Sequence, residues 1–116
     1  MKQGNSYSYS QFQNVAGFLH VIGNPLRLEI LFCLLEGPKC VCDLTALLHR
    51  RQACVSQHLM QLRQHGLVTS HRQGCNRYYV IHSESLKHYL RCILNNWKDD
   101  LFLMDKTKDH AHLPSV

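Results

Sequence analysis

Glycine and proline punctuation constrains this chain more than any other feature, because Gly23-Asn24-Pro25, Gly37-Pro38, Gly66 and Gly74 leave stretches that hold only one or two short elements each. Before the first break, Phe12, Val15, Phe18, Leu19 and Ile22 recur at helical spacing, so a helix is expected over Gln11–Ile22. Pro25 suits the first position of the next helix, where its missing N–H leaves no bond unmade. That helix, Pro25–Glu36, is apolar almost all round (Leu26, Leu28, Ile30, Leu31, Leu34, Leu35), as a central buried helix should be. Cys40–His49 reads as a short third helix with Leu44, Leu47 and Leu48 inward, and Cys40 and Asp43 stand where a capping box has its first and fourth residues. After a break around Arg50, a fourth helix runs to His65 and closes at Gly66, with Val55, His58, Leu59 and Leu62 inward. Leu67–His71 and Arg77–Ile81 read as strands joined by a hairpin tip at 72–76. A fifth helix, Ser83–Leu103, carries Leu86, Leu90, Ile93, Leu94 and Trp97. Residues 1–10 and 105–116 are polar and are expected to be flexible ends of one domain, 11–104.

With 116 residues and 45% apolar composition, the chain can build one core and not two. Its first ten residues have no apolar run of the secretory kind, and its longest apolar run, Ile30–Leu35, is far shorter than the roughly 20 residues that span a bilayer. A soluble, cytoplasmic protein that does not enter a membrane is expected. In a reducing compartment its six cysteines point to metal or redox chemistry rather than to disulfide staples.

The formal charge of +5 is unevenly spread. No acidic residue lies between Asp43 and Glu84, whereas Arg50, Arg51, Arg63, Arg72, Arg77, His49, His58, His65 and His71 all do. Such a block is a footprint for a polyanion. Together with the order of elements, it predicts a mainly α winged helix-turn-helix with a small β-hairpin, whose fourth helix enters the major groove of duplex DNA. Arg51, Ala53, Ser56, Gln57, Met60, Arg63 and Gln64 would face the DNA from that helix. Gln57 has the donor and acceptor to pair with adenine. Arg72 and Arg77 on the hairpin would meet phosphates or the minor groove.

The runs Asn24-Pro25-Leu26-Arg27-Leu28-Glu29-Ile30-Leu31, Cys40-Val41-Cys42-Asp43-Leu44, Val55-Ser56-Gln57-His58-Leu59 through Gly66-Leu67-Val68, and Gly74 through Tyr78-Tyr79 resemble the ArsR/SmtB family of metal-sensing repressors over about residues 12–100. The resemblance implies a homodimer built from the first and last helices, operator binding without inducer and release when inducer binds. In the arsenic-responsive branch a third cysteine follows, where this chain has Thr45; Cys40 and Cys42 match the first two. The cadmium and lead branch adds cysteines near the N-terminus, and here there is none before Cys33. The zinc branch uses last-helix positions occupied here by Ser83, Ser85, Asn96 and Asp99, three of which are not ligands. The persulfide branch pairs cysteines on the second and last helices, where Cys33 and Cys92 lie, displaced from the family positions. The fourth helix has Arg51 where the family has a Ser or Thr start.

Two thiols at a helix start suit a thiophilic ion, since soft ions take thiolates and a helix N-terminus favours negative charge. As(III) or another such ion, as inducer and not as a folding cofactor, is therefore expected at Cys40 and Cys42, with Cys54 or a small thiol as third ligand. Residues two apart do not face each other on a helix, so gripping one ion would distort the first turn of the third helix. The alternative is a redox or persulfide sensor working through Cys33 and Cys92. His58 reads as a hydrogen-bonded core residue, Cys75 as exposed, and His110 and His112 as solvated tail residues. An enzyme is not expected: there is no phosphate-binding glycine loop, no Cys-x-x-Cys and no acid in the central block. The paired ligand spacing of a structural zinc module is also absent.

Overall fold

The computed structural model describes residues 6–99. In order they form α1 (Tyr9–Ile22), α2 (Pro25–Leu34), β1 (Lys39–Cys40), α3 (Val41–Leu48), α4 (Gln52–Gln64), β2 (Thr69–Gln73), β3 (Asn76–Val80) and α5 (Glu84–Asp99). The chain falls into two compact units that divide between Glu84 and Ser85.

In the first unit α2 is central and packs on α1, α3 and α4. Its N-terminus is set by Asn24, whose side chain accepts the Arg27 N–H at 3.0 Å, and by Pro25 in the first turn. Ile30, Leu31, Leu44, Val55, Leu62 and Val68 are at most 1% exposed and make up the centre of this core. Leu44 is the buried member of the expected α3 stripe; Leu47 is 51% exposed instead. On α1, Val21 and Ile22 are buried, while Phe12, Val15 and Leu19 lie exposed along one stripe. Helix α1 begins at Tyr9 rather than Gln11, because Ser8 and Gln11 form a reciprocal capping box.

The expected hairpin is part of a three-stranded antiparallel sheet of order β1-β3-β2. Strands β2 and β3 pair from Thr69↔Val80 to Gln73↔Asn76, so the tip is two residues long, Gly74-Cys75, and not the five expected. Gly74, at φ 66°, occupies the first central position, where a II′ turn requires positive φ. Strand β1 has no counterpart in the sequence reading, since two residues carry no periodicity; it pairs Lys39↔Tyr79 and Cys40↔Tyr78.

Helix α5 begins at Glu84, close to the expected start. The expected end at Leu103 and the tail residues His110 and His112 lie outside the described residues. Among the described residues no single helix is long and apolar enough to cross a membrane, and the pair that qualifies by length together, α1 with α2, is bent by 89°.

Candidate functional site

Helix α4 buries Val55, Leu59 and Leu62, which turns Ala53, Gln57, Met60 and Gln64 outward on the opposite face, all exposed, with Ser56 half-buried at its edge. Arg63 is exposed near the C-terminal end, and Arg51 occupies the N-cap position without a side-chain bond to the helix. The turn into α4 has no glycine: His49 ends α3 in the left-handed region, φ 56° and ψ 47°, and its N–H bonds the Thr45 carbonyl. A short histidine-capped turn thus sets α4 against α3, which packs on it.

A second anchor comes from α2. Arg27 Nε donates to His58 Nδ1 at 3.1 Å, and its Nη1 donates to the Val21 carbonyl at 3.0 Å, so one guanidinium links the end of α1 to the middle of α4. The expectation of a hydrogen-bonded His58 fits this geometry, and the bond requires the ring proton on Nε2. Burial first, and then the Arg27 guanidinium, hold His58 below the ordinary histidine value of 6.5. Protonation would place an N–H against Arg27. The unfolded chain therefore binds this proton more readily, and the stabilisation is complete above pH 6.5 and is lost as the pH falls through the lower folded value. Urea midpoints taken from pH 8 down to pH 5 should fall, and His58→Gln should flatten that fall; an equally steep profile in the variant would rule His58 out.

On the sheet, Arg72 and Arg77 are directly paired across β2 and β3. Both are exposed, and Arg77 Nη1 donates to Ser70 Oγ at 3.1 Å. Like charges facing each other across strands destabilise a hairpin. A partner carrying closely spaced negative charge relieves that repulsion, which is what a phosphate backbone offers.

The thiols fall into different settings. All six are free. Cys40 is buried, in the last position of β1 and at the N-cap of α3; Cys42 is exposed one residue into the helix beyond Val41. The Cys40 N–H donates to Asp43 Oδ2 at 3.0 Å. That backbone bond first, and the Cys40 side chain second, hold the Asp43 carboxyl below its usual range. Thr45, where a third thiol would stand in the arsenic-responsive pattern, bonds the Cys42 carbonyl through Oγ1 at 2.9 Å. Cys54 is half-buried on α4 and Cys75 is exposed at the hairpin tip. Among the described residues no three His, Cys, Asp or Glu side chains gather into a group that could hold a metal ion, so Cys54 does not complete a site with Cys40 and Cys42 in this conformation. Cys33 is half-buried on α2; burial, followed by Glu36, pushes its thiol up.

A family model described as bacterial regulatory protein, arsR family, matches residues 24–70, from the cap of α2 into β2. The HlyU transcriptional regulator of Vibrio vulnificus shares the fold with a TM-score of 0.66 and 33% identity, covering 77% of this chain and 96% of that one. The chain belongs to the ArsR family. Its five helices and small sheet are the winged helix-turn-helix of that family, with α3 and α4 as the helix pair and β2–β3 as the wing. A transcriptional repressor SmtB homologue of Synechocystis is 36% identical over 74 residues, 64% of this chain and 56% of that protein. The arsenic resistance transcriptional regulator ArsR1 of Pseudomonas putida is 45% identical over 49 residues, 42% of this chain and 38% of that protein. The first curated relatives are matched over only 56–58% of their length. The family match takes in Cys40, Cys42, Cys54 and the whole α4 face, and it stops before Cys92.

Sequence reasoning missed two features that connect these parts. The Arg27–His58 bond joins residues 31 positions apart, and no local pattern marks it. Strand β1 ties Cys40 to the wing strand β3, and only the tertiary pairing reveals it.

Proposed function

We propose that this ArsR-family chain is a homodimeric transcriptional repressor, not an enzyme, that binds duplex DNA through the outer face of α4 and the wing. As(III) or another thiophilic ion at Cys40 and Cys42 would release it. The observation that carries the proposal is the position of Cys40, which is at once the last residue of β1, paired to Tyr78 of the wing, and the N-cap of α3.

Cys40 is buried in extended backbone at the N-cap and Cys42 is exposed in the first turn of the helix, so the two thiols sit in different surroundings. Binding one ion between them requires the first turn of α3 to open, with loss of the Cys40–Asp43 bond. Movement of Cys40 pulls on β3, and movement of α3 unseats α4, so one event disturbs both DNA-facing elements. Two thiols leave a three-coordinate soft ion one open position, which a small thiol can fill. The arsenic resistance named for ArsR1, a relative across 49 residues, supports As(III) as the first ion to try. The raised Cys33 thiol speaks against the alternative pair Cys33 and Cys92, because sulfur chemistry of that kind starts from a thiolate. Exposed apolar side chains on α1 (Phe12, Val15, Leu19) and on α5 (Tyr89, Ile93, Leu94) support assembly of two copies through these helices.

The test is operator affinity at fixed salt, with reductant, for wild type and Cys40→Ser/Cys42→Ser. As(III) should weaken wild-type binding by about 5–150-fold, the range of a 1–3 kcal/mol coupling, and leave the variant unchanged. Release of the variant by persulfide, with wild type indifferent to As(III), would move the trigger to Cys33 and Cys92.

A further inference from the structure

On the outward face of α4, Met60 is 52% exposed and is the one large apolar side chain that this helix leaves in the open. Its helical neighbours one turn before and one turn after, Ser56, Gln57, Arg63 and Gln64, are all polar. We propose that Met60 reads thymine, packing its thioether on the C5-methyl group of the base pair beside the one that Gln57 contacts. The contact rests on the proposal that this face enters the major groove of duplex DNA, and it assigns a base to a side chain that has no N–H or O–H to donate.

A single methionine set among polar neighbours is too small a patch to hold a protein partner, which needs an apolar centre within an interface of at least about 1,000 Å². Its surroundings select a polyanion instead. No acidic residue lies between Asp43 and Glu84, and Arg51, Arg63, Arg72 and Arg77 are all exposed. Among the groups that mark base identity in the major groove of DNA, the thymine C5-methyl is the apolar one. Methionine is unbranched and polarisable, so it can cover a methyl group without demanding a fixed donor geometry. The spacing places the contact. Gln57 and Met60 are three residues apart, a rise of about 4.5 Å along the helix, and successive base pairs lie about 3.4 Å apart. With Gln57 on an adenine, Met60 therefore falls over the next base pair. Duplex RNA offers no such target, because uracil lacks the methyl and the RNA major groove is too deep and narrow for side chains to read.

The probe is a duplex selected from a random-sequence pool by the full reduced chain, then remade with deoxyuridine in place of thymidine at one position at a time. Deoxyuridine pairs with adenine as thymidine does and lacks only the C5-methyl. Binding of wild type, Met60→Ala and Met60→Leu is measured by fluorescence anisotropy at fixed salt. At one thymine per bound copy, deoxyuridine should weaken wild-type binding about fourfold, the worth of one methyl-sized apolar group taken out of water. Met60→Ala should bind the thymine duplex at least about fourfold more weakly than wild type does and should not respond to the substitution. Met60→Leu keeps an apolar side chain and should still respond. Because Met60 is exposed, the circular dichroism of both variants should match wild type. A selected duplex on which no single deoxyuridine weakens wild-type binding overturns the thymine contact and leaves DNA binding by α4 standing. So does a fourfold loss that Met60→Ala retains in full. A pool that yields no bound duplex overturns both.

Discussion

Replacing Leu59 with alanine should lower the stability of the folded chain by about 2–5 kcal/mol, the cost of a leucine-sized cavity in a packed core. Leu59 is 1% exposed and sits on the inner face of α4, where the helix rests on α2 and α3. Its side chain cannot be replaced by water, and the neighbours on both sides are fixed by their own helices, so the cavity will close only in part. Each kcal/mol at this chain length lowers the melting temperature by about 4–8 °C. Met60, the next residue, is 52% exposed, and Met60→Ala should shift stability by no more than about 0.5 kcal/mol. Thermal or urea unfolding of the two variants checks the orientation of α4 directly. A larger loss for Met60→Ala than for Leu59→Ala would mean that the buried and exposed faces are exchanged, and the assignment of the DNA-facing residues would fall with them.

The second large effect belongs to the outer face. Gln57→Ala should cost operator affinity about 1–3 kcal/mol and relax discrimination at one A·T position, because a bidentate amide contact reads one base. Arg72→Ala/Arg77→Ala should act differently. The two arginines are cross-strand partners on the wing, and their removal should weaken binding to all sequences alike. It should also reduce the salt slope of log K by about 2, roughly 1 for each phosphate that is no longer neutralised. The hairpin should not be destabilised, since the substitution also removes a like-charge pair. Binding measured over a salt series, on the operator and on a scrambled duplex, separates the two behaviours. A Gln57 variant that loses affinity equally on both duplexes would not be a base reader. An arginine pair that leaves the salt slope unchanged would place the wing away from the backbone.

Much of this was legible in local patterns. The order of five helices and a hairpin followed from periodicity and from the breaks at Gly23-Asn24-Pro25, Gly37-Pro38 and Gly66, because a helix must end where its backbone groups lose partners. The spacing of Val55, His58, Leu59 and Leu62 points Ala53, Ser56, Gln57, Met60 and Gln64 outward; all of these are exposed except Ser56, which is half-buried, as is His58 on the inward stripe. Where local signals misled, the cause was also local. Leu47 reads as inward by spacing, yet it is 51% exposed while Leu44, one turn earlier on the same stripe, is fully buried. The hairpin tip looked five residues long because Arg72, Gln73 and Asn76 are polar, but Gly74 allows a two-residue turn and the polar residues pair as strand.

The sequence by itself determined the helical breaks, the absence of acid from the central block and the spacing of Cys40 and Cys42, because each depends on residues close together in the chain. Only the tertiary structure decided what those residues touch. It joined Cys40 to the wing through β1, fastened α4 to α2 through Arg27 and His58, and set Arg72 opposite Arg77. It also kept Cys54 out of any three-ligand group with Cys40 and Cys42. The pairing of β1 and the Arg27–His58 bond depend on how distant segments pack, and chain-local propensity carries no information about that.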